Sequence, residues 1–566
     1  MSDSTKLNVV LMWHMHQPEY RDMRTDEYQL PWTYLHGIKD YVDMAAHLEK
    51  NPNARAVVNF APVLLDQIQD YVKQINDCLH HSTPIRDTLL SVLAEPVLPA
   101  VREERSKLIR DCLRSNQKRI INHFKPYKRL ADIAKTALKQ TDLLNYIADQ
   151  YVFDLLVWHH LGWMGASVRD SNETIKNLMK KENNYTFNDR RALLEVIGEL
   201  MSSIIPRYRE LAIQGRIELA MSPYAHPIVP LLLDIQTTLE AMPDARMPIL
   251  QSYPGGEQRS HWHLDKGIQT FQKHFGITPV GCWPSEGSVS TETIKLLDQA
   301  GFKWTASGGN VLHNSINKSN PDDLQCIHQA YQIGDNPLAC FFRDDGLSDL
   351  IGFDYSEWHA DDAVANLIHH LENIAEACHD KSDSVVSIIL DGENAWEYYP
   401  ENGSYFLEAL YQQISSNTKL NLTTYKDFLH SQPTPTKLKT LVAGSWVYGT
   451  FSTWIGDNDK NRAWDMLGDA KLAFDAAVSQ NTLTGDRLAK AEHQLAICEG
   501  SDWFWWFGDY NPADTVSDFE HLFRLNLSIL YNIIDKQPPD YLSLTFTHGS
   551  GTPAMGGVMR PGQETK

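Results

Sequence analysis

The chain contains 566 residues, of which 42% are hydrophobic and 22% charged, a composition typical of a globular protein with two to four packed units. Its 72 Asp and Glu residues outnumber 51 Lys and Arg, so the net charge of −21 would repel phosphate backbones and anionic membrane surfaces. Nucleic acid and membranes are therefore not expected as partners. The sequence contains no signal for an oligomeric state.

The amino terminus and the cysteines indicate the cellular compartment. The first residues lack the basic and apolar segments of a secretory signal, and no apolar run approaches the ~20 residues of a membrane span. The seven cysteines are an odd number without a CxxC pair, which argues against a disulfide framework and against a structural zinc knuckle. We expect a cytoplasmic protein with reduced, mostly buried thiols.

The first predicted strand is the near-continuously apolar run from Leu7 to Trp13, which ends in the polar residues His14, His16 and Gln17. This pattern is typical of a buried parallel strand whose carboxyl end faces a site. Similar apolar runs occur at 55–60, 217–221, 280–283, 303–306 and 384–390, and amphipathic helical patterns separate them. The alternation predicts an α/β fold with a parallel sheet, either open or closed into a barrel.

Changes in this alternation predict the domain organisation. Residues 1–435 are expected to form the barrel, with a helical insertion at about 80–212, where amphipathic patterns replace the strand runs. A Pro- and Thr-rich break at 431–437 precedes helical patterns at 461–477, 486–499 and 518–534. We interpret 436–545 as a carboxyl-terminal helical domain that completes a substrate cleft, and the Gly- and Pro-rich residues 546–566 as a flexible tail.

Barrel enzymes place their active sites at the carboxyl ends of the strands, so polar residues that directly follow the apolar runs are candidate site residues. A fifth group, rich in tryptophan, lies in the helical domain. The five groups are His14 to Pro18, Glu218 to Pro227, Trp283 to Gly287, Asp391 to Glu397, and Glu499 to Trp506.

Glu286 and Asp391 are the candidate catalytic pair. Cleavage of a glycosidic bond requires one carboxyl group that protonates the leaving oxygen and a second that attacks or stabilises the sugar cation. Each of the two follows an apolar strand run, has a neighbouring glycine, and lies within a few residues of a tryptophan that could stack on a sugar. Taken alone, however, an acidic residue in such a loop is more often a helix cap.

In this order, the five groups resemble the five sequence regions of glycoside hydrolase family 57. The matching segments are His16-Gln-Pro18, Gly215-Arg-Ile-Glu218, Gly281-Cys-Trp-Pro-Ser-Glu286, Asp391-Gly-Glu393 and Glu499-Gly-Ser-Asp-Trp-Phe-Trp-Trp506. The resemblance implies a distorted (β/α)7 barrel with a helical carboxyl-terminal unit. It also implies activity on α-1,4-linked glucans, with α-1,6 bonds as a further substrate, and no metal or organic cofactor.

The resemblance further implies a retaining mechanism in which Glu286 is the nucleophile and Asp391 the acid/base. In such a mechanism the two carboxyl groups lie about 5–5.5 Å apart. Substrate-binding roles are expected for His14, His16, Gln17, Glu218, His226, Trp283, Glu393, Trp396, Trp454, Asp502, Trp503 and Trp505. For each tryptophan, core packing is an equal alternative, as is a satisfied interior position for each histidine.

Three alternatives remain open from the sequence. Hydrolysis is favoured, but 4-α-glucanotransferase or branching activity would use the same covalent intermediate. His14, His16 and His226 could instead hold a divalent metal, as in a deacetylase or an α-mannosidase of related barrel type. A third possibility is a glucan-binding protein that has lost its activity.

Overall fold

The computed structural model describes residues 6–319, 326–381 and 383–551. Within them, seven parallel strands close into a barrel. The strands are β1 Leu7–Met15, β2 Ala56–Phe60, β3 Ile217–Met221, β4 Gly281–Cys282, β5 Trp304–Gly308, β6 Ala339–Arg343 and β7 Val385–Asp391. Their order is β7-β1-β2-β3-β4-β5-β6, and the pairing of Ser387 with Arg343 closes the ring. The predicted (β/α)7 barrel is confirmed, and the open-sheet alternative is wrong.

The strands begin and end close to the predicted apolar runs because both faces of a barrel strand are buried. Val9, Leu11 and Trp13 of β1 have no exposed surface, and β2 and β3 are buried throughout. Strand β6 was absent from the sequence prediction, because its run Ala-Cys-Phe-Phe-Arg is short and follows a proline. This omission also hid Arg343, which lies at the carboxyl end of β6.

In the described part of the chain, five short strands lie outside the ring. Arg21–Asp22 and Glu27–Tyr28 form an antiparallel pair, and Leu420–Thr423 pairs with the first half of β1. Tyr331–Ile333 pairs with β6 and with Thr436–Leu438. Residues 436–438, at the start of the range predicted as a helical domain, therefore extend the barrel sheet.

The stretch between β2 and β3 is helical and contains the range predicted as an insertion. Its helices are Pro62–His81, Thr88–Ala94, Arg102–Asp111, Lys125–Lys139, Asp149–Trp163, Ala166–Ser171, Glu173–Lys181 and Phe187–Ile213. The last of these begins with a capping box, in which Thr186 and Asp189 each bind the backbone of the other.

The remaining helices surround the barrel or follow it. Those around the barrel are Trp32–His36, Val42–Lys50, Val229–Leu233, Thr238–Ala241, Gly256–Phe275, Thr291–Gln299, Gly309–Ser319, Asp345–Asp349, Ala360–Ala377, Ser404–Ser416 and Tyr425–His430. Those that follow are Asn458–Ser479, Gly485–Cys498, Asp502–Trp506 and Ala513–Ile533. Of the predicted tail, residues 552–566 lie outside the described residues. No helix in the described ranges is both long and apolar enough to cross a membrane.

A buried ion network joins the carboxyl-terminal helices to the barrel. Glu499, which follows helix Gly485–Cys498, is 1% exposed and accepts hydrogen bonds from Arg259 Nη2 and Tyr253 OH at 2.8 and 2.6 Å. His263 Nε2 lies 2.8 Å from the same carboxylate. Burial alone would raise the pKa of Glu499, but Arg259 and His263 lower it to about 2. Arg259 and His263 belong to helix Gly256–Phe275, so the carboxylate links two helices.

We expect Glu499→Gln to destabilise the protein by about 3–5 kcal/mol at pH 7, because it leaves the Arg259 charge buried without its partner. A depressed pKa contributes stability above the ordinary value of 4.5, and this contribution is lost as pH falls toward about 2. The difference in the free energy of unfolding between wild type and variant, measured with urea, should therefore shrink below about pH 4.5. Glu257→Gln, at an exposed position of the same barrel helix, is the control. A difference that stays constant with pH would contradict this account.

Candidate active site

A cavity of about 420 Å³ opens at the carboxyl ends of the barrel strands. His14 and Asp391, at the ends of β1 and β7, are paired across the sheet, and Gly392 N donates to His14 O at 2.7 Å. Glu286, from the loop after β4, and Asp502, from helix Asp502–Trp506, line the same cavity. Barrel and carboxyl-terminal helices thus contribute to one site.

Backbone geometry directs Glu286 into the cavity. In the turn Ser285–Gly287, Glu286 has φ 59° and Gly287 has φ 60°, both in the left-handed region. This conformation costs a non-glycine residue about 1–3 kcal/mol. A Cβ atom on Gly287 would lie 2.7 Å from the buried Trp283 ring, so the turn packs directly on that side chain. Trp446 then fixes Glu286 twice, because its backbone N donates to Glu286 O at 3.0 Å and its indole Nε1 to Oε2 at 2.9 Å.

The surroundings of Glu286 favour its neutral form. Burial is the main cause that raises its pKa well above the ordinary value, and the charges of Asp391 and Asp502 add to the increase. The hydrogen bond from Trp446 opposes this shift only in part. Before substrate binds, Glu286 therefore keeps its proton to a higher pH than an ordinary glutamate does.

Glu393 is a further buried carboxyl group at the cavity wall. It is 2% exposed, and its Oε1 accepts hydrogen bonds from His16 N at 2.9 Å and from Tyr41 OH. Burial raises its pKa well above the ordinary range; the bond from Tyr41 opposes the shift, and the charges of Asp391 and Asp40 add to it. Glu393 thus fixes the backbone directly after the end of β1.

A chain of hydrogen bonds fixes the protonation of two histidines. Asn59 Oδ1 accepts from Ser222 Oγ at 3.0 Å and lies 2.6 Å from His14 Nδ1, which must therefore carry the hydrogen. His14 Nε2 is then the acceptor of the 3.1 Å bond from His226 Nε2, and His226 Nδ1 accepts from Ser501 Oγ at 3.0 Å. Both rings are neutral in this arrangement. Burial and neighbouring histidines lower the pKa of His226 well below normal and that of His14 to about 3.

His16 connects this chain to Asp502. Its Nε2 lies 2.9 and 3.0 Å from the two carboxylate oxygens of Asp502, and its ring stacks on that of His226 with centroids 3.9 Å apart. Ligand atoms of His16, His226 and Asp502 lie within 4.8 Å of one another, the spacing of a metal site. However, imidazole lone pairs lie in the ring plane, and stacked rings inclined by 21° do not direct them at a common point. The cluster fits a hydrogen-bond network better than a metal centre.

The structure separates the predicted residues into two groups. Those that line the cavity are His14, His16, Gln17, Glu286, Asp391, Glu393, Asp502 and Trp505. Those that do not line it are Glu218, His226, Trp283, Trp396, Trp454 and Trp503. His226 still contacts the site through His14 and His16.

The second group, apart from His226, has packing roles. Glu218 accepts from Trp304 Nε1 at 2.6 Å and from Lys426 N at 2.8 Å, and burial raises its pKa to about 7 although both bonds lower it. The four tryptophans of this group are at most 1% exposed. Trp396 packs edge-on against Trp13, for example, and Trp503 Nε1 donates to a backbone carbonyl.

Sequence reasoning missed Trp446, Arg343 and Trp32, which also line the cavity. Arg343 would have been found had β6 been recognised, because it ends that strand. Trp446 follows no strand run, and its partner Glu286 is 160 positions away, so no local pattern indicates its role. Trp32 begins a five-residue helix and carries no local signal.

A closed parallel barrel with carboxyl groups at its carboxyl-terminal rim is an arrangement that glycosidases use. The family model described as glycosyl hydrolase family 57 matches residues 10–441. The chain belongs to glycosyl hydrolase family 57. No curated protein sequence matches it.

Solved structures share the fold at low sequence identity. A GH57-type branching enzyme from Pyrococcus horikoshii superposes with a TM-score of 0.54 at 16% identity, over 98% of this chain and 99% of the other. An α-amylase from Thermotoga maritima gives 0.55 at 12% identity, over 94% and 93%. A 4-α-glucanotransferase from Thermococcus litoralis gives 0.51 at 15% identity, over 93% of this chain and 60% of the other.

We expect Glu286→Gln to raise the melting temperature at pH 7. A carboxyl group whose pKa is raised in the folded state stabilises the fold only below its ordinary pKa of 4.5, and this contribution is lost as pH rises. Glutamine stays neutral at every pH. The increase in melting temperature of Glu286→Gln, measured by differential scanning calorimetry, should therefore be small near pH 4 and grow toward pH 7. Glu104→Gln, at an exposed position of helix Arg102–Asp111, is the control. A lower melting temperature for Glu286→Gln at every pH would contradict the conclusion that burial raises the pKa of Glu286.

Proposed function

We propose that the protein cleaves α-1,4-linked glucans with retention of configuration, using Glu286 as nucleophile and Asp391 as acid/base. The observation that carries this proposal is that both carboxyl groups line one cavity, in which burial raises the pKa of Glu286 and the charge of Asp391 adds to the increase. Two carboxyl groups that interact in this way cannot both be ionised without cost, and double displacement requires such a pair. We propose a separation of about 5–5.5 Å between them.

In the first step, Glu286 attacks the anomeric carbon while Asp391 gives its proton to the leaving oxygen. The attacking carboxylate must be ionised, although its surroundings favour the proton before substrate binds. We propose that the proton moves to Asp391 when a sugar occupies the cavity. The indole N–H of Trp446, 2.9 Å from Glu286 Oε2, stabilises the ionised nucleophile. In the second step, Asp391 removes a proton from water, which attacks the anomeric carbon and releases Glu286.

Sugar recognition is assigned to groups that line the cavity. His16 and Asp502, which are 9% and 14% exposed in their side chains, can bind sugar hydroxyl groups. The ring nitrogens of His14 and His226 are engaged with each other and with protein side chains, so we assign these residues the role of positioning His16. Trp505 offers a half-buried indole face on which a glucose ring can stack.

Glycosyl transfer is a second candidate, because Trp32, Trp505 and Trp506 also give the cavity aromatic surfaces that could hold a second sugar as acceptor. The names of the three structural relatives include a branching enzyme, an amylase and a 4-α-glucanotransferase. All would share the covalent intermediate and differ in what attacks it. We propose that water attacks the covalent intermediate, and product analysis tests whether an acceptor sugar attacks it instead.

We expect Glu286→Gln to lower kcat on maltoheptaose by about four orders of magnitude, and Asp391→Asn by about 10²–10⁴-fold. Asp362→Asn, at an exposed position of helix Ala360–Ala377, should leave kcat unchanged. Chromatography of the wild-type products then distinguishes shorter sugars, longer sugars and new branches. Full activity of Glu286→Gln would contradict the assignment of Glu286 as the nucleophile. Longer or branched products would show that the enzyme transfers sugars rather than hydrolysing the glucan.

We expect Trp446→Phe to move the acid limb of the kcat/KM pH profile to higher pH. Loss of the indole N–H removes a bond that lowers the pKa of Glu286, so ionisation of the nucleophile requires a higher pH. Trp505→Phe, which changes another cavity-lining indole, should alter KM without moving this limb. An acid limb that stays in place in Trp446→Phe would show that Glu286 does not set it.

A further inference from the structure

Three residues from two segments that are distant in sequence meet outside the catalytic cavity. Cys326 and His328 precede the strand Tyr331–Ile333, and Cys378 directly follows helix Ala360–Ala377. A ligand atom from each of the three lies within 4.8 Å of the others. None of them lines the catalytic cavity. We call this group the Cys-His-Cys cluster.

A carboxylate orients the imidazole of the cluster. His328 Nε2 lies 2.9 Å from Asp344 Oδ2, and Asp344 Oδ1 accepts from Leu347 N at 2.9 Å. The carboxylate therefore accepts a hydrogen bond from Nε2–H and leaves Nδ1 as the nitrogen available to a ligand. A histidine that binds a metal through one nitrogen commonly donates its other N–H to a carboxylate in this way.

Backbone hydrogen bonds hold the three residues in place. Cys326 O accepts from Tyr331 OH at 2.7 Å, and His328 O accepts from Val385 N at 3.0 Å. Cys378 N donates to Ile374 O at 2.9 Å. Because the positions are fixed by main-chain contacts, the side chains can converge on an ion without a large loss of chain entropy.

We propose that Cys326, His328 and Cys378 bind one zinc ion, with water as the fourth ligand. Zinc prefers thiolate and imidazole ligands in a tetrahedral arrangement, in which ligand atoms lie about 3.5–3.8 Å apart. Because the ligand atoms of the cluster already lie within 4.8 Å of one another, only small side-chain movements are needed to reach this geometry. Cys326 and His328 are partly exposed, so water can reach the fourth position.

The proposed ion has a structural role. His328 O accepts the N–H of Val385, the first residue of β7, and Asp344 N donates to Ser387 O in the same strand. Zinc would therefore connect the end of helix Ala360–Ala377 to the strand whose last residue is Asp391. We expect bound zinc to raise the melting temperature, with no zinc-dependent step in the reaction.

The test is metal binding by the full chain, purified with a thiol reductant and stripped with a chelator. Cobalt(II) should bind at one equivalent with an intense thiolate-to-cobalt absorption band, and one equivalent of zinc should remove that band. Cys378→Ser and Cys326→Ser should abolish the band, and Asp344→Asn should weaken zinc binding by about 10–100-fold. Circular dichroism and the melting temperature of each variant show whether it is folded.

Two controls separate this site from others. Cys78→Ser removes a partly exposed thiol on helix Pro62–His81 and should leave the band intact. His16→Ala removes a histidine of the other group with metal-ligand spacing, at the catalytic cavity, and should also leave the band intact.

The proposal is overturned if wild-type protein gives no thiolate band, or if the band survives in both folded serine variants. It is also overturned if mass spectrometry finds a Cys326–Cys378 disulfide in protein isolated without reductant and the reduced protein takes up no metal. In that case the cluster would be a thiol pair that oxidises, rather than a zinc site.

Discussion

The cost of ionising Glu286 in a buried position beside Asp391 is the constraint on which the site depends. Both acids face one cavity, where burial raises the pKa of Glu286 and the charges of Asp391 and Asp502 raise it further. Arg343, which also lines the cavity, does little to relieve this, because it is already paired with Asp345 and with a second aspartate, Asp349. The stacked histidines do not relieve it either, since the hydrogen-bond chain from Asn59 keeps His14 and His226 neutral. The indole of Trp446 is thus the neighbouring donor that favours an ionised Glu286.

Both the barrel and the carboxyl-terminal helices contribute acidic residues to the cavity. Parallel strands place His14 and Asp391 side by side at one rim, and the left-handed turn after β4 brings Glu286 to the same rim. Asp502 follows Glu499 by three residues, and Glu499 is bound to Arg259 of a barrel helix. The ion network therefore anchors the segment that brings Asp502 into the cavity, which links the stability of the fold to the electrostatics of the site.

Local sequence patterns predicted what depends on local physics. Long apolar runs marked six of the seven barrel strands, because burial on both faces demands them, and the polar residues after those runs included Glu286 and Asp391. Periodicity could not tell which tryptophans face the cavity. Trp503 is buried whereas Trp505 lines the cavity, because a five-residue helix and its packing partners decide the orientation of each ring.

Features made by distant residues were not predictable in this way. The bond from Trp446 to Glu286 spans 160 positions, and Cys378 lies 52 residues after Cys326, so no spacing rule joins either pair. The absence of a CxxC pair is a statement about closely spaced cysteines in one segment. It could not address a cluster that the barrel assembles from two segments.

The most direct test of the central claim is to trap the covalent intermediate. In Asp391→Ala, an α-glucosyl fluoride with a second fluorine on the sugar ring loses fluoride to the nucleophile without acid assistance. The covalent intermediate then reacts slowly with water, because the ring fluorine destabilises the transition state and the general base is missing. Peptide mass spectrometry should then find one glucosyl adduct on the peptide that contains Glu286. An adduct on another carboxyl group, or turnover of the fluoride without any adduct in rapidly quenched samples, would contradict the assignment of Glu286 as the nucleophile.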